Sequence, residues 1–273
     1  MTAPGAPTDD AAGRAGTKGR AVELTCAWAG IVGLVVALVG MVLARILPIP
    51  PGPDLSVEEV VDYYTDDLGS VRAGLLLVSV AVCVIGPLVA LVTVHILRMH
   101  LGRSPVLPIL QAVTGAVTWV MLMVPMIILN VAAFRPERDP DTTQALHDLG
   151  WILFITPVGP FLLQNLVIAA AVLTDGRPTP VLPRWVGYFN IWVGLLFLPA
   201  LAAYFFKDGL FAWDGLLVFY LAVFVYGTWM AVMSFVLRQS VLREYAVRES
   251  ATAPTTTIEQ GGVQESIPLD TRR

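Results

Sequence analysis

Two prolines and two amides lie within one long apolar stretch of the chain, residues 149–173. Pro157 and Pro160 are near its middle, and Gln164 and Asn165 follow. A proline removes a backbone N–H and crowds the carbonyl group four residues earlier, so it opens a helix. Positions 157, 160 and 164 share one helical face because they are three and four residues apart. Discontinuous membrane helices use such loosened backbone to bind ligands or ions.

A second interpretation of the same residues needs no ligand. Prolines kink many membrane helices and thereby shape their packing, and a single amide often forms a hydrogen bond to a neighbouring helix. Under both interpretations we expect a bend between Thr156 and Phe161, with Gln164 facing the interior of the protein. The two interpretations differ in what lies opposite the amide.

The stretch 149–173 is the fourth of six apolar runs, each near or above the length that crosses a bilayer. The six runs are residues 24–47, 71–97, 106–134, 149–173, 185–206 and 216–237. The chain is 56% hydrophobic and 14% charged, with a mean hydropathy of +0.72, whereas soluble domains are about a quarter charged. These features predict an all-α polytopic membrane protein, a bundle of six transmembrane helices surrounded by the lipid bilayer.

The positive charges predict the orientation of the bundle. Of the 17 Lys and Arg residues, twelve lie in the two terminal tails and in the second and fourth loops, and five lie on the other side. Basic segments stay in the cytoplasm. We therefore expect a multi-pass protein of the cell (inner) membrane with cytoplasmic N- and C-termini. The transmembrane domain spans residues 21–240, flanked by a disordered tail of residues 1–20 and a mostly disordered tail of residues 241–273.

Polar side chains inside the apolar runs are the main functional lead, because they are costly in a membrane. Together with the two prolines they give eight candidate ligand-binding residues. The eight are His95, Gln111, Pro157, Pro160, Gln164, Asn165, Tyr188 and Asn190. Gln164 and Asn190 fall at similar depth, which is compatible with one shared polar pocket or with hydrogen bonds between helices alone. For His95, haem binding and proton transfer are less favoured than an ordinary hydrogen bond.

Known catalytic and cofactor motifs are missing from the sequence. HExxH, GxSxG, P-loop and CxxC patterns do not occur, and the serines have no nearby base. Cys26 and Cys83 fall in different membrane segments, so we expect no disulfide. We predict no cofactor, no metal site, no catalytic residue and no nucleic-acid partner, although an intramembrane enzyme without these motifs stays open.

The first loop on the outer side carries a helix signal. Residues 56–59 read S-V-E-E, which is a capping box, and apolar residues follow at helical spacing. The sequence therefore predicts a short amphipathic helix that lies on the outer surface.

Weak internal repeats suggest how the six helices are related. The tetrapeptide PVLP occurs at residues 105–108 and 180–183, and Gly86-Pro87 resembles Gly159-Pro160 at a similar offset. Gly227 occupies the matching place in the sixth run. These short repeats suggest three tandem helical hairpins that are inserted in the same direction.

Three segments carry a resemblance to a known family. They are DLGWILFITPVGPF, PRWVGYFNIW and FFKDGLFAWDG, and they cover roughly the fourth to the sixth helix. They resemble segments of six-helix integral membrane proteins from bacteria, mainly actinobacteria, a family with no established activity. The resemblance implies the six-helix fold and assigns no functional residue.

Two function classes are favoured over an intramembrane enzyme. The first is a protein that binds or transports a small apolar or amphipathic molecule at the kinked fourth helix. The second is a non-catalytic accessory or scaffold subunit that associates with partner subunits in a larger membrane complex. A binding site requires Gln164, Asn165 and Asn190 to converge, whereas a scaffold would scatter them and show a wide apolar face.

Overall fold

The computed structural model describes the backbone of residues 9–252 and the side chains of residues 17–251. Its α-helices are α1 (Asp9–Leu43), α2 (Val57–Thr65), α3 (Leu68–Leu97), α4 (Val106–Phe134), α5 (Pro140–Ile155), α6 (Val158–Thr174), α7 (Arg184–Leu196) and α8 (Leu221–Thr252). A 3₁₀ segment, Leu198–Tyr204, follows α7, and a π-helical turn, Leu216–Tyr220, precedes α8.

The six predicted spans are confirmed. Among the residues that the structure describes, six helical segments are long and apolar enough to cross a membrane. They are Thr17–Leu43, Leu68–Leu97, Val106–Phe134, Pro140–Thr174, Arg184–Tyr204 and Gly209–Ala251. The chain is a multi-pass membrane protein with an all-α fold. The fourth span consists of two helices, α5 and α6, and the fifth and sixth spans each contain a non-α segment.

The spans form a closed ring in chain order. Each span packs against the next one, and the last, α8, packs against α1. Contacts across the ring, from α3 to α6 or α8, are sparse. Helices pack closely where ridges of side chains fit grooves, so sparse contacts across the centre leave room for a cavity there.

Charged side chains tie the ring together at the end where α1 begins and α8 ends, here called the terminus end. Arg98 follows α3 and donates to Glu23 of α1, with Nη1 2.8 Å from Oε2. The same guanidinium lies 3.0 Å from Glu244 of α8, which also faces Arg177 at 3.8 Å. The hydrogen bond to Glu23 raises the pKa of Arg98. Four elements are therefore held at one point by ion pairs.

Aromatic side chains close the opposite end, here called the α2 end. The Tyr64 hydroxyl lies 2.9 Å from His147 Nδ1, and the rings of Trp151 and Trp213 stack with centroids 6.5 Å apart. Trp213 donates from Nε1 to the carbonyl of Pro51 at 2.9 Å. The cluster joins α2, α5 and the segments that precede α2 and α8, and it covers the bundle from that side.

The short helix predicted in the first loop and its capping box are confirmed as α2. Ser56 Oγ accepts from the N–H of Glu59 at 3.3 Å, and the Glu59 carboxylate accepts from the N–H of Ser56 at 2.8 Å. One correction concerns its apolar face. Val60 and Tyr64 are buried, and α2 packs on α5, so that face is covered by protein.

The start of α1 differs from the boundary expected for the N-terminal tail. α1 begins at Asp9, inside the stretch 1–20 that the sequence predicts to be a disordered tail. The alanines at positions 11, 12 and 15 are strong helix formers, and they continue the helix that the membrane span nucleates. α8 continues beyond residue 240 to Thr252. Residues 1–8 and 253–273 lie outside the described part of the chain.

The three predicted tandem hairpins stay a prediction, and their glycines lie in different backbone settings. α3 is continuous through Gly86 and Pro87, whereas Gly159 belongs to the first turn of α6. Gly227 lies within the continuous helix α8. A helix break is therefore a feature of the fourth span and is not repeated in α3 or at Gly227.

Candidate ligand-binding cavity

The predicted break in the fourth span is confirmed at Pro157. α5 ends at Ile155, and Pro157 adopts φ −72° and ψ 51° before α6 starts. The N–H of Val158 donates to the carbonyl of Thr156 at 2.7 Å. A central φ near −75° and ψ near +65°, closed by a bond between residues i and i+2, define an inverse γ-turn. The chain therefore turns sharply here and begins a new helix.

The two prolines have different roles in this break. Pro157 is the central residue of the γ-turn, whereas Pro160 lies in the first turn of α6. The first backbone N–H groups of a helix have no partner within the helix, so a proline is tolerated in the first turn. The expectation that both prolines open the helix is therefore corrected, because Pro160 fits a helix that has already restarted.

The Thr156 side chain forms hydrogen bonds on both sides of the break. The Thr156 hydroxyl donates to the carbonyl of Ile152 at 2.6 Å and lies 2.8 Å from the hydroxyl of Tyr204. Backbone groups at membrane depth need such internal partners because hydrocarbon supplies none. The broken helix is thus a stable feature of the fold, held from the fifth span by Tyr204.

Two further interruptions lie beside the first. α7 stops at Leu196, and the 3₁₀ segment that follows contains Pro199, which supplies no N–H. The sixth span opens with π-helical geometry at Leu216–Tyr220, after an extended Gly215. The fifth and sixth predicted spans therefore each contain a segment that is not α-helical. π-Helical turns are rare and frequently occur at functional sites.

A cavity of about 130 Å³ lies in the middle of the ring, where the three interruptions meet. Each interruption supplies part of the wall: Pro157 at the γ-turn, Phe197 at the start of the 3₁₀ segment and Phe219 in the π-helical turn. Phe161, Tyr226, Leu34, Val82, Met121 and Met230 are among the other lining residues. Because the backbone departs from regular geometry in three neighbouring spans, their side chains leave a space between them.

The wall of the cavity is almost entirely apolar. Thr118 and Tyr226 bring the hydroxyl groups, and the Thr118 hydroxyl donates to the carbonyl of Thr114 at 2.9 Å. Aromatic rings form one side, since Phe161 lies edge-on to Phe197 and Trp229, with centroids 4.5 Å and 5.7 Å away. Such a wall accommodates an uncharged apolar group, and among the described residues no cluster of His, Cys, Asp or Glu can hold a metal ion.

Of the eight predicted site residues, Pro157 alone lines the cavity. Gln164 faces the interior, as predicted, and is 1% exposed. Tyr188 is 59% exposed on the outer side of α7, so it cannot belong to an internal pocket. It was assigned from its depth along the helix, and depth does not determine which way a side chain points.

The sequence left open whether Gln164, Asn165 and Asn190 share one polar pocket, and the structure shows Asn190 hydrogen-bonded within the protein. Asn190 Nδ2 donates to the carbonyl of Val186 at 2.8 Å, and its Oδ1 accepts from Trp229 Nε1 at 3.0 Å. Asn165 Nδ2 donates to the carbonyl of Phe161 at 2.8 Å. Asn190 thus links α7 to α8 by a hydrogen bond. This is the packing role that the alternative interpretation assigned to such amides.

His95 and Gln111 are buried in the half of the bundle nearer the terminus end. His95 Nδ1 lies 3.0 Å from the carbonyl of Leu91 in its own helix, so the ordinary hydrogen bond predicted for His95 is confirmed. Gln111 of α4 is fully buried and faces α6. Neither residue lines the cavity. The free state predicted for the cysteines is also confirmed.

The aromatic lining was not predicted from the sequence. Phe154, Phe161, Phe197, Phe219 and Tyr226 sit in apolar runs together with many aromatics that face outward. The signals that were available were Pro199 and Gly215, because each marks a point where a helix of the fifth or sixth span is interrupted. Pro157, Pro199 and Gly215 thus mark interruptions of three neighbouring spans at a similar depth in the bundle.

Comparisons with known proteins found no match to this chain. No family model, no curated protein and no solved structure matches the chain. The resemblance to the bacterial six-helix family stays a prediction.

Proposed function

We propose that this membrane protein binds a small, uncharged, largely apolar molecule in the central cavity, and that the broken fourth span shapes the site. The observation that carries the proposal is the meeting of three helix interruptions around one apolar space of about 130 Å³. Breaking helices inside a membrane leaves backbone groups to be satisfied, and packing alone does not require three breaks at one place. An apolar cavity of about 150 Å³ accommodates benzene or xenon, so the ligand, or its buried part, is of that size.

The bilayer itself provides the route of entry. Leu38 of α1 lines the cavity and is 38% exposed on the side of the bundle. A molecule dissolved among the lipid chains therefore reaches the cavity laterally, without crossing an aqueous entrance. Transport across the membrane requires, in addition, that the ion pairs around Arg98 at the terminus end and the aromatic cluster at the α2 end open in alternation.

Binding of small aromatic probes to the purified protein in detergent tests this function. We expect toluene to raise the midpoint of thermal unfolding in a saturable manner, because a ligand that binds only the folded state stabilises it. The matched control is 1,3,5-tri-tert-butylbenzene, which has the same chemistry and is too large for the cavity. Equal effects of the two compounds would show partition into detergent and would contradict a site of defined size.

A second candidate function is an accessory subunit, and one observation favours it. Trp185, Tyr188 and Trp192 of α7 are each at least half exposed, and their spacing of three and four residues places them on one face. This wide aromatic face offers a contact surface to another membrane helix. Replacing the three residues with Leu should release partner subunits during purification if this is the role, while toluene binding should persist.

We also propose the orientation that the charges predict, with the terminus end in the cytoplasm of the cell. Reporter fusions after Ala11, Gly102, Gly176 and Ser250 are expected to read cytoplasmic, and fusions after Asp66, Asp139 and Gly209 external. The basis is the excess of Lys and Arg at the terminus end. One fusion that reads the opposite way would break either the orientation or the six-span topology.

A further inference from the structure

The buried side chains of Gln111 and Gln164 converge about one helical turn from the cavity, on the side of the terminus end. The Nε2 atoms of Gln111 and Gln164 each lie 3.4 Å from the position that a β-carbon on Gly115 would occupy. The two residues are 0% and 1% exposed, and they belong to the packed helices α4 and α6. Because Gly115 has no side chain, the two amides can approach the same point.

Both amides have unused hydrogen-bonding capacity. Within residues 17–251, neither the oxygen nor the nitrogen of either side chain has a hydrogen-bond partner. A buried amide without partners is costly, and more so at membrane depth. Asn190 uses both ends of its amide within the protein, and Asn165 uses its Nδ2 but not its Oδ1. Among the buried amides of the described residues, Gln111 and Gln164 are the pair in which neither end is used.

The pair lies about one helical turn from residues that line the cavity. Gly115 precedes Thr118 by three residues, and Gln164 follows Phe161 by three residues. Three residues correspond to about 4.5 Å along a helix axis. Thr118 and Phe161 both line the cavity, so the amides lie just beyond its wall on the side of the terminus end.

The chemistry of the pair defines the group that it binds. α4 and α6 carry no charged residue over their whole lengths. An ion would therefore lack a counter-charge in this apolar surrounding. A primary amide both donates and accepts, so the fitting group is neutral and hydrogen-bonding: a hydroxyl or a carbonyl.

We infer that the ligand is amphipathic, with its apolar part in the cavity and a neutral hydroxyl or carbonyl group bound between Gln111 and Gln164. This inference rests on the proposed function and adds the polar half of the site. It also explains why the two amides are left without partners in the packed interior of the protein.

The test compares toluene with benzyl alcohol, which has a similar size and adds one hydroxyl group. In the double variant Q111L/Q164L, we expect the affinity for benzyl alcohol to fall about tenfold and that for toluene to stay unchanged. The matched control is Gln239→Leu, since Gln239 is exposed on α8. It should leave both affinities unchanged.

The other outcomes are equally informative. If both affinities are unchanged in the double variant, the amides bind water or nothing, and the inference is wrong. If both affinities fall together, the amides maintain the fold without recognising the hydroxyl, which also overturns it. If toluene does not bind the unmodified protein, the cavity proposal fails first and takes the inference with it.

A second measurement needs no variant. The carbonyl stretch of ¹³C-labelled acetophenone bound to the unmodified protein is expected to move to lower frequency than in hydrocarbon, because an amide N–H donates to it. A bound carbonyl that absorbs as in hydrocarbon would contradict a hydrogen-bonding pair beside the cavity.

Discussion

The substitution Ala222→Phe is expected to abolish toluene binding, with a loss of affinity of about a hundredfold or more. Ala222 lines the cavity at the start of α8. A phenyl group at this position has the size of the probe itself and occupies the space that the probe needs. The unliganded variant should keep its fold, because an added ring that enters an existing cavity displaces no neighbouring side chain.

The matched control for this variant is Ala73→Phe. Ala73 is exposed on α3 and does not line the cavity, so a ring added there faces the bilayer. We expect its toluene affinity to equal that of the unmodified protein. If Ala222→Phe binds toluene as well as Ala73→Phe does, the probe occupies another place and the assignment of the cavity is wrong.

The substitution Pro157→Ala has the second largest expected effect. It restores an N–H that can donate to the carbonyl of Leu153, so α5 can continue towards α6. Proline inside a helix costs about 3 kcal/mol or more, and we expect the free energy of unfolding to rise by up to that amount. The γ-turn is then lost, and Phe154 and Phe161 move towards each other. The affinity for toluene should therefore fall at least tenfold.

Pro160→Ala is the control that separates the two prolines. Because Pro160 lies in the first turn of α6, its replacement alone should change neither stability nor binding appreciably. The double variant P157A/P160A should have a higher free energy of unfolding than P157A alone. In a continuous helix, the N–H of residue 160 can also donate to the carbonyl of Thr156. If P157A is more stable and still binds toluene fully, the break only shapes helix packing.

The sequence predicted the features that depend on composition and on local chemistry. Six apolar runs became six spans, because burial of about 20 apolar residues in hydrocarbon outweighs any local preference. Pro157 marked the break in the fourth span, and residues 56–59 marked the start of α2. Each of these signals acts within a few residues, so it can be read without knowing the neighbours.

The site depended on neighbours and was predicted only in part. Gln164 was correctly placed in the interior, whereas Tyr188 points outward although its depth is similar. The direction of a side chain depends on which helices pack on either side of it, and a hydropathy pattern around a bundle is nearly uniform. The aromatic wall was not predicted for the same reason. Phe161 and Phe224 both lie within apolar runs, yet Phe161 is buried and Phe224 faces outward.

The most direct test of the central claim is to locate a bound probe. Crystals of the protein soaked with bromobenzene would show the bromine by its anomalous scattering. The account predicts one internal peak enclosed by Pro157, Phe161, Phe219 and Tyr226, and its loss in crystals of the Ala222→Phe variant. Bromine found only on the lipid-facing surface, or an internal peak that survives Ala222→Phe, would contradict a binding site built by the broken fourth span.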